Sequence, residues 1–136
     1  MTRMDILYEG DLHCRLTHGP SGAIVQTDAP KDNMGKGEAF SPTDLTAVSL
    51  GACMLTVMGI HARKRGLELQ GAVAQVTKEM IPAPDRRIGA ITVSLAMPAG
   101  IPPGERAGLE EAGHTCPVRK SLSDRVKVSV SFVYPD

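Results

Sequence analysis

The chain has 136 residues, enough for one domain that buries roughly 65–70% of its unfolded surface without covalent staples. Fifteen basic residues balance fifteen acidic ones, and two Phe, two Tyr and no Trp leave little for stacking on bases, so nucleic acid is not an expected partner. A hydrophobic share of 42% excludes a disordered chain and predicts a core of Val, Ile, Leu, Met and Ala. The cysteine count is odd, at three. No charged-then-apolar leader precedes Asp5, and no uninterrupted apolar stretch approaches the ~18–20 residues of a membrane span. The expected setting is cytoplasmic and reducing, with no membrane partner.

Residues 4–17 place Leu12, Cys14 and Leu16 on one face and His13, Arg15 and Thr17 on the other, which predicts a half-buried strand. His18 to Gly22 is turn chemistry, and Ala23 to Thr27 reads as the strand returning from it. Asp28 to Ala39 is a polar loop holding Asp32, Asn33, Gly35, Lys36, Gly37 and Glu38. Ser41-Pro42-Thr43-Asp44 then supplies a capping hydroxyl, a proline at the first helical position and an acid at the third. The helix that starts there runs to Arg65, where Arg63, Lys64 and Arg65 complement the negative end of the dipole and Gly66 offers the left-handed terminating conformation. It is apolar on nearly every face from Leu45 to Ile60, so it predicts a central helix covered on most sides. A chain this small hardly covers such a helix alone, which predicts a homodimer.

Residues 72–80 and 88–97 alternate as strands, with Pro82, Pro84 and Asp85 marking the turn between them. Pro102 to Gly113 predicts a second helix, Pro117 to Leu122 a short third one, and Val126, Val128, Val130 and Phe132 the inward phase of a last strand. The order ββ-α-ββ-αα-β lacks strict strand-helix alternation, which predicts an α+β fold with antiparallel pairing in a single domain over residues 1–136.

The chemistry points to two cysteines. Cys53 lies three turns into the apolar helix with Ser49 and Thr56 on the same side, where a small core residue is the commoner role. Cys116 precedes Pro117 at a helix start, with Arg119 and Lys120 within one turn, and both features favour a thiolate. Cys14 belongs with Leu12 and Leu16 in the core phase of its strand. Cys53, His61, His114 and Cys116 lack the compact ligand spacing of structural zinc, and no phosphate loop, nucleophile elbow or carboxylate pair is present, so neither a metal nor a cofactor is expected.

The run from Phe40 to Met58 around Cys53, and the run His114-Thr-Cys116-Pro-Val-Arg-Lys-Ser-Leu122, resemble the OsmC/Ohr family of osmotically inducible and organic-hydroperoxide-resistance proteins. The resemblance covers essentially the whole chain. It implies an OsmC-like fold with sheets wrapped around long central helices, an intertwined homodimer, and two sites at the subunit interface. It also implies a two-cysteine peroxidase: Cys53 attacks a hydroperoxide and becomes sulfenic acid, Cys116 resolves it as a disulfide, and a dithiol such as a dihydrolipoyl protein restores both thiols. In peroxide-reducing members a glutamate stands at the position of Thr43 and an arginine in the loop matching His18 to Gly22; this chain has neither. Arg15, Glu38 and Arg119 are the possible substitutes. The alternative is a non-enzymatic OsmC-like redox sensor or small-ligand-binding protein.

Overall fold

The computed structural model of the chain describes residues 1–135. Two compact units make up the chain, Met1–Thr46 and the stretch from Ala47 onward, each with its own three-stranded sheet.

The first unit holds β1 (Met4–Gly10), β2 (His13–His18) and β3 (Ile24–Asp28), antiparallel throughout and in the order β1-β2-β3. The single strand expected over 4–17 is therefore a hairpin. Gly10, Asp11 and Leu12 all take positive φ (89°, 52° and 61°) and reverse the chain, and the Tyr8 hydroxyl accepts the Leu12 amide at 3.3 Å. Period-2 alternation concealed the turn because both of its arms carry the same pattern. The next turn matches expectation: the His18 carbonyl accepts the Gly22 amide at 2.7 Å, and the His18 ring bonds the Ser21 hydroxyl at 2.6 Å.

The polar loop after β3 is folded back on the sheet and contains a 3₁₀ turn at Lys31–Asn33. Asp28 fastens both its ends: its amide donates to the Phe40 carbonyl at 3.1 Å, and its carboxylate Oδ2 accepts the Glu38 amide at 2.9 Å. The Glu38 amide holds the Asp28 carboxyl below its ordinary range, against the opposing effect of burial and with further help from the His13 ring.

Helix α1 (Pro42–Lys64) starts where the sequence predicts, through a reciprocal cap. The Ser41 hydroxyl accepts the Asp44 amide at 3.0 Å, and the Asp44 carboxylate accepts the Ser41 amide at 2.9 Å. Asp44 is thus occupied as the capping acid. Ser41→Ala is expected to cost about 1 kcal/mol, read as a lowered urea midpoint at unchanged slope; an unaltered midpoint would mean that the cap contributes nothing. At the other end the Leu67 amide reaches back to the Ala62 carbonyl at 2.9 Å past Gly66, whose φ is +69°.

The second unit contains the rest of α1, β4 (Val73–Ile81), β5 (Arg87–Ala96), α2 (Pro103–His114), α3 (Pro117–Ser121) and β6 (Lys127–Val133). Its sheet order is β4-β5-β6. The β4/β5 pair is antiparallel as expected, whereas β6 runs parallel to β5, because α2 and α3 form the crossover that a parallel return requires. The α+β class stands, with one parallel pairing in it.

The core is the stripe Ala47, Leu50, Met54, Met58 and Ala62 of α1, packed with Ile91, Val93 and Leu95 of β5 and Leu109 of α2. The i, i+3/i+4 spacing of that stripe shows that this chain covers one side of α1, not most of it as the sequence suggested. Val48 and Ile60 on the same helix remain exposed. By length and composition α1 would suffice to cross a bilayer, but a buried stripe seated on a sheet is the pattern of a core helix.

Candidate active site

The two cysteines singled out in the sequence, sixty-three positions apart, meet in the second unit. Cys53 is carried by α1 and is half-buried, packed against the core. Cys116 stands in the two-residue corner between α2 and α3. Thr115 closes α2 by returning both its amide and its hydroxyl to the Ala112 carbonyl. Cys116 itself is extended (φ −62°, ψ 135°), and Pro117 opens α3. The approach is set by Gly113: a side chain there would begin 3.0 Å from Met58 Sδ and 3.5 Å from Met54 Cε. A hydrogen at that position lets α2 end directly on α1, and the Cys116 thiol comes beside the Cys53 thiol, close enough for Cys53 to affect its titration.

Their environments differ. Cys116 is fully buried and caps α3, its sulfur accepting the Arg119 amide at 3.3 Å. Burial pushes its thiol above the ordinary value; the Arg119 amide opposes this, and the neighbouring Cys53 thiol adds to it. This overturns the expectation, read from the helix start and the nearby cations, that Cys116 is the activated thiol. Exclusion from water outweighs a cap on a helix of five residues. Because the neutral form is favoured, Cys116 is protonated at neutral pH, and its alkylation rate in denaturant-free buffer is expected to keep climbing past pH 9. A rate already at its plateau at pH 8 would contradict the burial argument.

Of the three candidate supporting residues, only Arg119 belongs to the unit that holds both cysteines. Its guanidinium donates to His114 Nδ1 at 3.0 Å, and the His114 ring stands edge-on to Phe132 with centroids 5.6 Å apart. Arg15 and Glu38 lie in the first unit with counter-ions of their own: Arg15 is 4.0 Å from Glu9, and Glu38 is 3.9 Å from Lys36. Cys14, also in the first unit, is half-buried opposite Tyr8 and Thr27. His61 faces Gly108 of α2. Sequence reasoning missed one cluster. His13, Asp28 and Glu38 bring one imidazole nitrogen and two carboxylate oxygens within 4.8 Å of one another. Its signal was the β2/β3 register, which sets His13 opposite Asp28.

The model of the OsmC-like protein family matches residues 35–131, a span that includes both cysteines. The chain belongs to the OsmC family. Among solved structures, a Psychrobacter arcticus protein described as an osmotic stress induced and detoxification response protein is 39% identical, with a TM-score of 0.91 over 97% of this chain and 96% of that one. The OsmC organic hydroperoxide resistance protein of Legionella pneumophila superposes with a TM-score of 0.76 at 16% identity, over 98% of this chain and 96% of that one. OhrB of Bacillus subtilis, an organic hydroperoxide resistance protein, gives 0.70 at 15% identity over 97% of both chains. At such identities the likeness of the last two is one of fold. No curated protein sequence matches the chain significantly.

Proposed function

We propose that this OsmC-family protein is a cysteine-based peroxidase that reduces organic hydroperoxides in oxidative-stress defence. Cys53 is the attacking thiol. Its sulfur takes the terminal oxygen of the hydroperoxide as the O–O bond breaks, and the alcohol leaves with a proton. The resulting Cys53 sulfenic acid is attacked by Cys116, an S–S bond forms and water departs. A dithiol such as a dihydrolipoyl protein then reduces the disulfide and is itself oxidised. The observation that carries this reading is the pairing of a half-buried thiol with a fully buried, protonated one close enough to interact with it. The accessible sulfur meets substrate, and the buried one waits for the intermediate. Arg119, anchored at the same corner, is the supporting cation nearest in sequence to Cys116. Titration with an alkyl hydroperoxide tests the scheme: one equivalent should yield one alcohol and consume two of the three thiols. Consumption of one thiol or none would count against it.

The whole of 1–136 acts as one OsmC-like domain in this proposal, in the cytoplasm, and the working form is a homodimer. Support for the dimer comes from apolar surface without a cover: Val48 and Ile60 on α1, and an apolar groove of about 360 Å³ on the first sheet lined by Met4, Ile6, Leu16, Val25 and Leu45. The non-enzymatic alternative, a redox sensor or small-ligand binder, is favoured by Thr43 and by the absence of arginine from the 18–22 turn.

A further inference from the structure

In the first unit, at the β2/β3 strand ends, three acceptor groups converge that the peroxidase scheme does not use. His13 Nδ1 lies 2.6 Å from the Asp11 carbonyl, which can only accept, so Nδ1 carries a ring hydrogen and Nε2 is the nitrogen left to face the carboxylates. Nε2 lies 3.6 Å from Asp28 Oδ2 and 3.8 Å from Glu38 Oε1. Two carboxylates beside one imidazole repel each other, and a cation among the three groups offsets that repulsion. The Asp28 carboxylate is fully buried, and its other oxygen, Oδ1, has no hydrogen-bond partner. A fully buried carboxylate with one unsatisfied oxygen, whose other oxygen faces an imidazole tied through its second nitrogen to a carbonyl, supplies donors of the kind that hold a metal, with the Asp11 carbonyl in the orienting role that carbonyls play behind metal-bound histidines.

We propose that His13, Asp28 and Glu38 bind a divalent zinc-type cation. Zinc holds nitrogen and carboxylate ligands at about 2.0–2.2 Å in a tetrahedron, which places neighbouring ligand atoms ~3.3–3.6 Å apart. The two distances from Nε2 are only slightly longer than that, all three ligand atoms lie within 4.8 Å of one another, and octahedral magnesium, with ligands ~3 Å apart, requires a larger contraction. Three protein ligands leave a fourth position for water. Access is open, because the Glu38 side chain is 56% and His13 25% exposed. Lys36 is the competing cation: its ammonium is 3.9 Å from Glu38 Oε1 and 3.1 Å from Asp11, on a side chain that is 65% exposed and free to turn outward. Bound metal clamps the loop after β3 to the ends of both strands.

Cobalt(II) is the probe, titrated into the reduced full-length protein and followed by its visible absorption, with zinc added afterwards. The expected result is one cobalt per chain, displaced by zinc, without a sulfur-to-cobalt charge-transfer band. Binding should disappear in His13→Gln, weaken at least about tenfold in Glu38→Gln, and persist in the Cys53→Ser/Cys116→Ser double variant. Circular dichroism establishes that each variant is folded; Asp28→Asn is avoided because Asp28 also fastens the loop. Absence of saturable binding at millimolar cobalt, binding that survives His13→Gln, or a charge-transfer band lost with the cysteines would each overturn the proposal.

Discussion

Replacing Cys53 by serine is expected to abolish hydroperoxide reduction, by at least about a thousandfold, while replacing Cys116 should leave a first turnover and then inactivate the protein. A serine hydroxyl at that position has neither the thiolate fraction nor the nucleophilicity to break an O–O bond, and removing an attacking group ordinarily costs several orders of magnitude. With Cys116→Ser the attack should still occur, but with no thiol left in reach to condense with the sulfenic acid, further peroxide should carry Cys53 to sulfinic acid. In the unsubstituted chain, mild oxidation should produce one intramolecular bond between Cys53 and Cys116 and leave Cys14, in the other compact unit, as a free thiol. Peptide mass spectrometry after peroxide treatment reads all three outcomes. A Cys14 linkage, or Cys53 recovered unoxidised at high peroxide, would move the protein to the non-enzymatic reading.

The largest stability effect is expected at the packing beneath the site. Met58 is fully buried on α1, and its sulfur lies 3.0 Å from where a side chain of Gly113 would begin. Met58→Ala removes three heavy atoms from the contact that seats the end of α2, and neither backbone can close the gap without moving Cys116. The cost should be about 2–5 kcal/mol, measured as a lowered urea midpoint, with a matching fall in the yield of the 53–116 disulfide. A cost below about 1 kcal/mol with undiminished disulfide yield would mean that another contact sets the approach of the two thiols.

Local signals made much of this structure legible. The Ser41 cap is written in four consecutive residues, and both of its hydrogen bonds form where the residues predict. Cys116 and Pro117 likewise define the corner between α2 and α3 by themselves. What escaped were long-range facts. The hairpin at Gly10 to Leu12 was hidden because alternation has the same period on both of its arms. The parallel β5/β6 pairing depends on which edge of the sheet the crossover returns to, which no local pattern records. The protonation of Cys116 was misread because cap and cations are visible in sequence while burial is not. The His13, Asp28 and Glu38 cluster needs both the strand register and the fold-back of a polar loop, so its members looked unrelated along the chain.

Steady-state turnover of an organic hydroperoxide, with a dihydrolipoyl protein as reductant and hydrogen peroxide and a monothiol as comparisons, tests the central claim most directly. The expected result is sustained, dithiol-dependent formation of the alcohol that saturates with hydroperoxide and is lost in Cys53→Ser. A rate indistinguishable from the protein-free reaction, with Cys53 and Cys116 both still reduced, would contradict it.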